Sequence, residues 1–176
     1  MDIKKITAIL CIIAHKIPGV TKLRVMKLLY YIDKEHFLKY GRLVTFDRYI
    51  RMDCGPIPSH ILDIVNDQVR YLSEEDKKYM DSYIAINMAN KYRHLKPVGD
   101  PDLFELSKSE IEVINHVIDK FGKYREGELI DLTHEEEAWK QAQRNKQIDL
   151  RYFLDEVKDK DEKAELLLVI NEGDFA

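Results

Sequence analysis

The chain has 176 residues, 45% of them hydrophobic, with 28 Lys/Arg against 32 Asp/Glu and a formal charge of −4. That is enough apolar chain for one domain with its own core, which excludes a disordered protein and a disulfide-stapled miniprotein. Two cysteines, Cys11 and Cys54, form no Cys-x-x-Cys pair, which excludes the usual paired-cysteine zinc and redox sites and fits a reducing, cytoplasmic setting.

Lys4-Lys5 followed by the uncharged run Ile6–Ala14 resembles the start of a secretory signal. The run ends at His15-Lys16 with no small-x-small cleavage site and is too short to span a bilayer. Ile3, Ile6, Leu10, Ile13 and Ile17 recur at helical spacing, so this segment reads as a first, nearly all-buried helix stopped by Pro18-Gly19. Thr21 caps a second helix that runs to about Tyr40, with Gly41 as its stop.

Residues 42–54 lack helical periodicity and read as an extended loop or short strand. Gly55-Pro56-Ile57-Pro58 follows as a stiff, non-helical turn, because each proline fixes its own φ and pushes its predecessor extended. Ser59 opens a third helix with Ile61, Ile64, Val65 and Leu72 on one side. The charged stretch 73–81 reads as a short helix, and segments 82–86 and 93–98 as a hairpin around Asn87-Met-Ala-Asn90.

Ser107-Lys-Ser-Glu110 has the spacing of a capping box and introduces an amphipathic helix through Ile111, Ile114, Ile118 and Phe121, stopped by Gly122. Two short helices, about 125–132 and 134–144, come next, with Thr133 as the cap of the second. Tyr152–Val157 and Ala164–Ile170 complete a helical tail. The expected architecture is mainly α: a compact single-domain helical bundle with a small β-hairpin and an extended Gly-Pro loop. Its body spans 1–145, and 146–176 is a C-terminal helical extension packed on or trailing it.

No phosphate loop, dinucleotide fingerprint, His-Glu-x-x-His or Gly-x-Ser-x-Gly motif is present. Asp33 and His36 lie one helical turn apart, as two metal ligands do, yet no third ligand has suitable spacing. His134 with Glu135–Glu137 offers acid–base groups but reads as a helix start with a dipole-matched acidic turn. Cys54 lacks an identifiable base. The sequence therefore points to no catalytic residues, no metal and no cofactor.

The charge is unevenly spread. Residues 1–60 hold 11 Lys/Arg and 5 Asp/Glu, and the rest 17 and 27. Lys22, Arg24, Lys27, Lys34, Lys39, Arg42, Arg48 and Arg51, interleaved with Tyr30, Tyr31 and Tyr40, form the kind of basic region that phosphate contacts require. A nucleic-acid-binding regulator is the alternative reading this supports, against an acidic whole and no recognition helix.

Three segments carry a family resemblance: Met26-Lys-Leu-Leu-Tyr-Tyr-Ile-Asp33 leading to Gly41, then Cys54-Gly-Pro-Ile-Pro-Ser59, then Leu132-Thr-His-Glu-Glu-Glu-Ala-Trp139. In order and spacing, across roughly residues 5–142, they resemble the Panacea domain, the SocA-like antitoxin domain of bacterial and phage toxin–antitoxin operons. The resemblance implies a protein that neutralises a cognate toxin by direct binding, with no chemistry of its own, and in one relative's case by delivering the toxin to a protease; the sequence itself offers no membrane span.

Within the matching segments, Leu28, Leu29, Gly55, Pro56, Thr133 and Trp139 are expected to be scaffold. Tyr30, Tyr31, Arg42, Arg48, Arg51 and His134 are the candidate partner contacts, because aromatic and arginine side chains dominate interface hot spots.

Overall fold

The computed structural model describes residues 1–66, 72–89 and 92–172. Helix α1 (Ile3–Lys16) starts where the Asp2 carboxylate accepts from the Lys4 and Lys5 amides, and Ile6–Ala14 are buried without a break. Its apolar residues leave no solvated stripe, which is the pattern of a central helix. Helix α2 (Lys22–Tyr40) begins at the Thr21 hydroxyl, which accepts from the Arg24 amide, and ends at Gly41 in the left-handed region at φ +70°. Despite its charges, α2 is enclosed on nearly every side, and Val25–Lys34 are buried throughout.

The segment after α2 corrects one expectation. Gly55–Pro58 is not a bare turn but a strand, β2, paired antiparallel with β1 (Tyr49–Met52) in the register Ile50↔Ile57. The ribbon tolerates Pro56 and Pro58 because β2 is its edge strand, where a missing N–H breaks no inner ladder; the other side of β1 is bonded to residues 145–148, with the Ile148 amide donating to the Tyr49 carbonyl at 2.8 Å. Helix α3 (Ser59–Val65) follows directly. No side chain at Pro58 caps it; Asp47 does so from a distance, accepting from the His60 and Ile61 amides at 3.2 and 2.8 Å. The expected continuation of α3 toward Leu72 lies in part outside the described residues.

Helix α4 (Glu74–Tyr83) leads into the expected hairpin of β3 (Ile84–Ala89) and β4 (Tyr92–Pro97), whose tip at 90–91 lies outside the described residues. Helix α5 (Lys108–Phe121) carries the capping box in full: Ser107 Oγ accepts from the Glu110 amide and the Glu110 carboxylate accepts from the Ser107 amide at 2.7 Å. Helix α6 (Glu126–His134) runs past Thr133, so Thr133 is not an N-cap. Buried inside α6, its hydroxyl turns back to donate to the Ile130 carbonyl at 2.9 Å. Helix α7 is accordingly shorter than expected (Glu137–Gln141).

A 3-10 segment, Leu150–Glu156, and helix α8 (Lys160–Glu172) end the described chain. Ile148, Leu150, Phe153 and Leu154 join the same core as α1, α2 and α5. The molecule is mainly helical with two small antiparallel ribbons. Among the described residues no helix is long and apolar enough to cross a membrane.

Candidate functional site

The three motif segments, far apart in the chain, meet at one point. Lys27 reaches from α2 to donate to the Pro56 carbonyl at 2.8 Å, and its side chain is wholly buried. Gly55 stands between it and α6 at φ +92°, a conformation that favours glycine. A Cβ at this position would run into the Thr133 hydroxyl and come within 2.8 Å of Lys27 Nζ. Burial pulls the Lys27 pKa down to about 7, with the Cys54 thiol drawing it partway back. At 0% exposure the amine is closed off from solvent.

One step along the ribbon lies an aromatic ladder. The Arg51 guanidinium lies 4.2 Å over the Trp139 ring, and the His134 ring stacks on the same indole at 4.0 Å with an interplanar angle of 22°. Two groups this close to one ring must occupy opposite faces. The Trp139 Nε1 donates to the Met52 carbonyl at 3.2 Å, and Arg51 donates to the Ala142 carbonyl, so the ribbon, α6 and α7 are stitched together here. Two candidate contacts, Arg51 and His134, are therefore brought together around a residue expected to be scaffold.

Tyr30 and Tyr31 are elsewhere, and their place among the candidate partner contacts is corrected by their burial, at 0% and 5% exposure. Tyr30 meets Tyr49 and Phe153 edge-on at 5.4 and 5.6 Å, while Tyr31 stacks on Phe121 at 4.1 Å. Burial, then the nearby Glu136 carboxylate, drives both hydroxyls well above the ordinary tyrosine range. Glu136 is itself raised by burial and drawn back by its ion pair with Lys34. Leu28 and Leu29 are core residues, with no exposed surface.

Arg42 is half-exposed but committed within the chain. It donates to Glu110 at 2.7 Å and to Ser107 Oγ at 3.2 Å. Burial alone would raise the Glu110 carboxyl, but the Ser107 amide, Lys5 and Arg42 outweigh it and hold the pKa at about 2. Arg48 is exposed, and its guanidinium has no partner among the described residues.

The basic region of the first sixty residues is dispersed in the same way. Lys27 and Lys34 are buried, Lys39 pairs with Glu112 at 2.6 Å, Lys22 donates to Asn66, and Arg24 donates to the Gly122 carbonyl. Among the described residues no group of three His, Cys, Asp or Glu side chains is placed to hold a metal ion.

Two buried carboxylates, Asp33 (one of the ligand-spaced pair with His36) and Asp47, have roles that the sequence did not reveal. Asp33 accepts from the Val44 and Thr45 amides at 2.6 and 2.8 Å, from the Tyr49 hydroxyl at 2.7 Å, and from the Thr45 hydroxyl. Burial raises its pKa to about 6 although these donors pull it back. Asp47 holds α3, as described. For Asp47 the available signal was its position inside an extended segment whose amides have no helical partner; Asp33 lies within α2 and gave no such signal.

Residues 25–140, about two-thirds of the chain, match the family model described as antitoxin SocA-like, Panacea domain. No curated protein and no solved structure matches the chain.

Proposed function

The chain belongs to the antitoxin SocA-like Panacea family, and from that premise we propose that it neutralises a cognate toxin by direct protein–protein binding, without chemistry of its own. The family match over residues 25–140 is the observation that carries this reading. The arrangement of the motif residues supports it. Lys27, Gly55, Pro56 and Thr133 interlock two helices and a ribbon, with the lysine and threonine side chains both buried.

The Arg51–Trp139–His134 ladder is partly exposed, and we assign it to the toxin-facing side. Arginine and tryptophan held rigidly by stacking lose little conformational entropy on docking, which is what makes such residues effective anchors. The duplex-binding reading loses the basic surface that motivated it, since most of those cations are engaged within the chain.

The test is co-expression with the product of the adjoining reading frame. That product arrests growth alone and is harmless beside this protein; a neighbour that is harmless alone, or toxic in both cases, overturns the reading. Following the toxin's half-life then separates the two ways of neutralising it. Occlusion leaves the half-life unchanged, and delivery to a protease shortens it.

A further inference from the structure

Phe46 combines two properties that rarely meet in a folded chain. It is a bulky residue at φ +54°, in the left-handed region, and its ring is 55% exposed. A non-glycine residue in that region costs about 1–2 kcal/mol, and a ring that stays more than half exposed recovers only part of it by burial.

The cause is on either side. Asp33 clamps the amides of Val44 and Thr45, while Asp47 accepts from the amides of Arg48, His60 and Ile61. Between two pinned segments the single residue Phe46 has to reverse the chain, and its side chain is pushed outward.

Beside it is a concavity of about 520 Å³ with Leu43, Ile148 and Leu150 in its lining. Arg48 and His60 stand at the same opening. The Asp47 oxygens are spent on three amides and on His60 Nδ1 at 2.8 Å, and nearby Asp149 is paired with Arg151. What faces outward is a guanidinium without a partner among the described residues, an imidazole edge and a rigidly mounted phenyl ring.

We propose that Phe46 and Arg48 form a preorganised docking platform for an acidic segment of the toxin protein, whose carboxylate pairs with Arg48 while a neighbouring apolar side chain fills the concavity. The proposal rests on the antitoxin reading and names the chemistry of its partner. Charge complementarity selects the occupant: a single free arginine beside a concavity of mixed polar and apolar lining suits one carboxylate flanked by hydrocarbon, whereas a nucleic-acid backbone needs a row of cations. Because the strain at Phe46 is already present in the free protein, the platform does not have to be ordered on binding.

The experiment is isothermal titration calorimetry of the full chain against the product of the adjoining reading frame. The wild type is compared with Phe46→Gly and Arg48→Glu, each first checked by urea denaturation. Phe46→Gly weakens binding about tenfold or more while its denaturation midpoint moves little, because the strain that glycine removes offsets the ring contacts that it loses; a merely structural residue would lose stability outright. Arg48→Glu weakens binding at least as much and abolishes the decline of affinity with added salt that the wild type shows.

If the wild type binds and both variants bind equally well, the platform is overturned and the antitoxin reading stands. A wild type that does not bind overturns both. If instead a fluorescent DNA duplex binds the wild type and releases from both variants, the platform contacts nucleic acid and the proposal fails.

Discussion

The Lys27 ammonium nitrogen lies 2.8 Å from the Pro56 carbonyl oxygen, with no part of either residue's contact open to water. One neutral hydrogen bond replaces the full hydration of a cation, which is why burial brings this amine down to about 7. An unfolded lysine titrates at about 10.4, so between about 7 and 10.4 the unfolded chain holds a proton that the folded chain has released. In that window stability rises with pH. Below it both states are protonated and the penalty for burying the charge is complete. Relative to Lys27→Met, the wild type gains up to about 1.4 kcal/mol per pH unit above pH 7. Urea midpoints of the two proteins at several pH values on either side of 7 check this, and a difference that stays flat across the window contradicts it.

Gly55→Ala is expected to be disproportionately damaging for the addition of one methyl group. The new Cβ meets the Thr133 hydroxyl and Lys27 Nζ, both buried and unable to swing into solvent, and the backbone is held at φ +92°. Strain and overpacking together cost roughly 2–4 kcal/mol. Gly19→Ala is an informative control: it has a similar φ of +70° but nothing within 4 Å of its Cβ, so it suffers the conformational cost alone. Chemical denaturation of both variants separates the two effects.

Why some of this was legible in the sequence and some was not follows from the range of the interactions involved. Caps act over three or four residues, so Thr21, Gly41 and the Ser107–Glu110 box can be read in place, and each is found where its spacing puts it. The hairpin of β3 and β4 is equally local. The β1–β2 ribbon was hidden because two prolines signal a turn, and only the edge position of β2 makes them acceptable.

Thr133 looked like a cap because a hydroxyl preceding acidic residues has that signature; burial against Gly55 turned it inward. The fate of Tyr30, Tyr31, Lys27 and Lys34 depended on what encloses α2. Its neighbours β2, α5, α6 and the Leu150–Glu156 turn are all distant in sequence, and no periodicity within the helix reports on them.

Asp33 shows how much one buried acceptor can hold. Asp33→Ala strands the Val44 and Thr45 amides and the Thr45 and Tyr49 hydroxyls together. Each buried donor left without an acceptor is costly, and the sum after local relaxation is about 3–5 kcal/mol. Asp33→Asn is milder because one carboxamide oxygen still serves both amides, which share a single carboxylate oxygen in the wild type. A urea titration ranking wild type, Asn and Ala in that order of stability checks the assignment; equal losses for Asn and Ala would mean the charge itself, not the acceptor geometry, matters.

Trp139 is the protein's single tryptophan, so the surface ladder has its own spectroscopic reporter. The indole is covered on one face by Arg51 and on the other by His134, and its Nε1 is fixed to the Met52 carbonyl. Removing either cover admits water to the ring. Arg51→Ala and His134→Ala are each expected to shift the emission to longer wavelength, with stability changing by only about 1 kcal/mol because the stacked faces are partly exposed. The double variant shifts further than either single one, since the two covers occupy opposite faces and do not substitute for each other. Emission spectra of the four proteins at one ionic strength settle it: a double variant no different from Arg51→Ala would mean that His134 does not lie on the indole in solution.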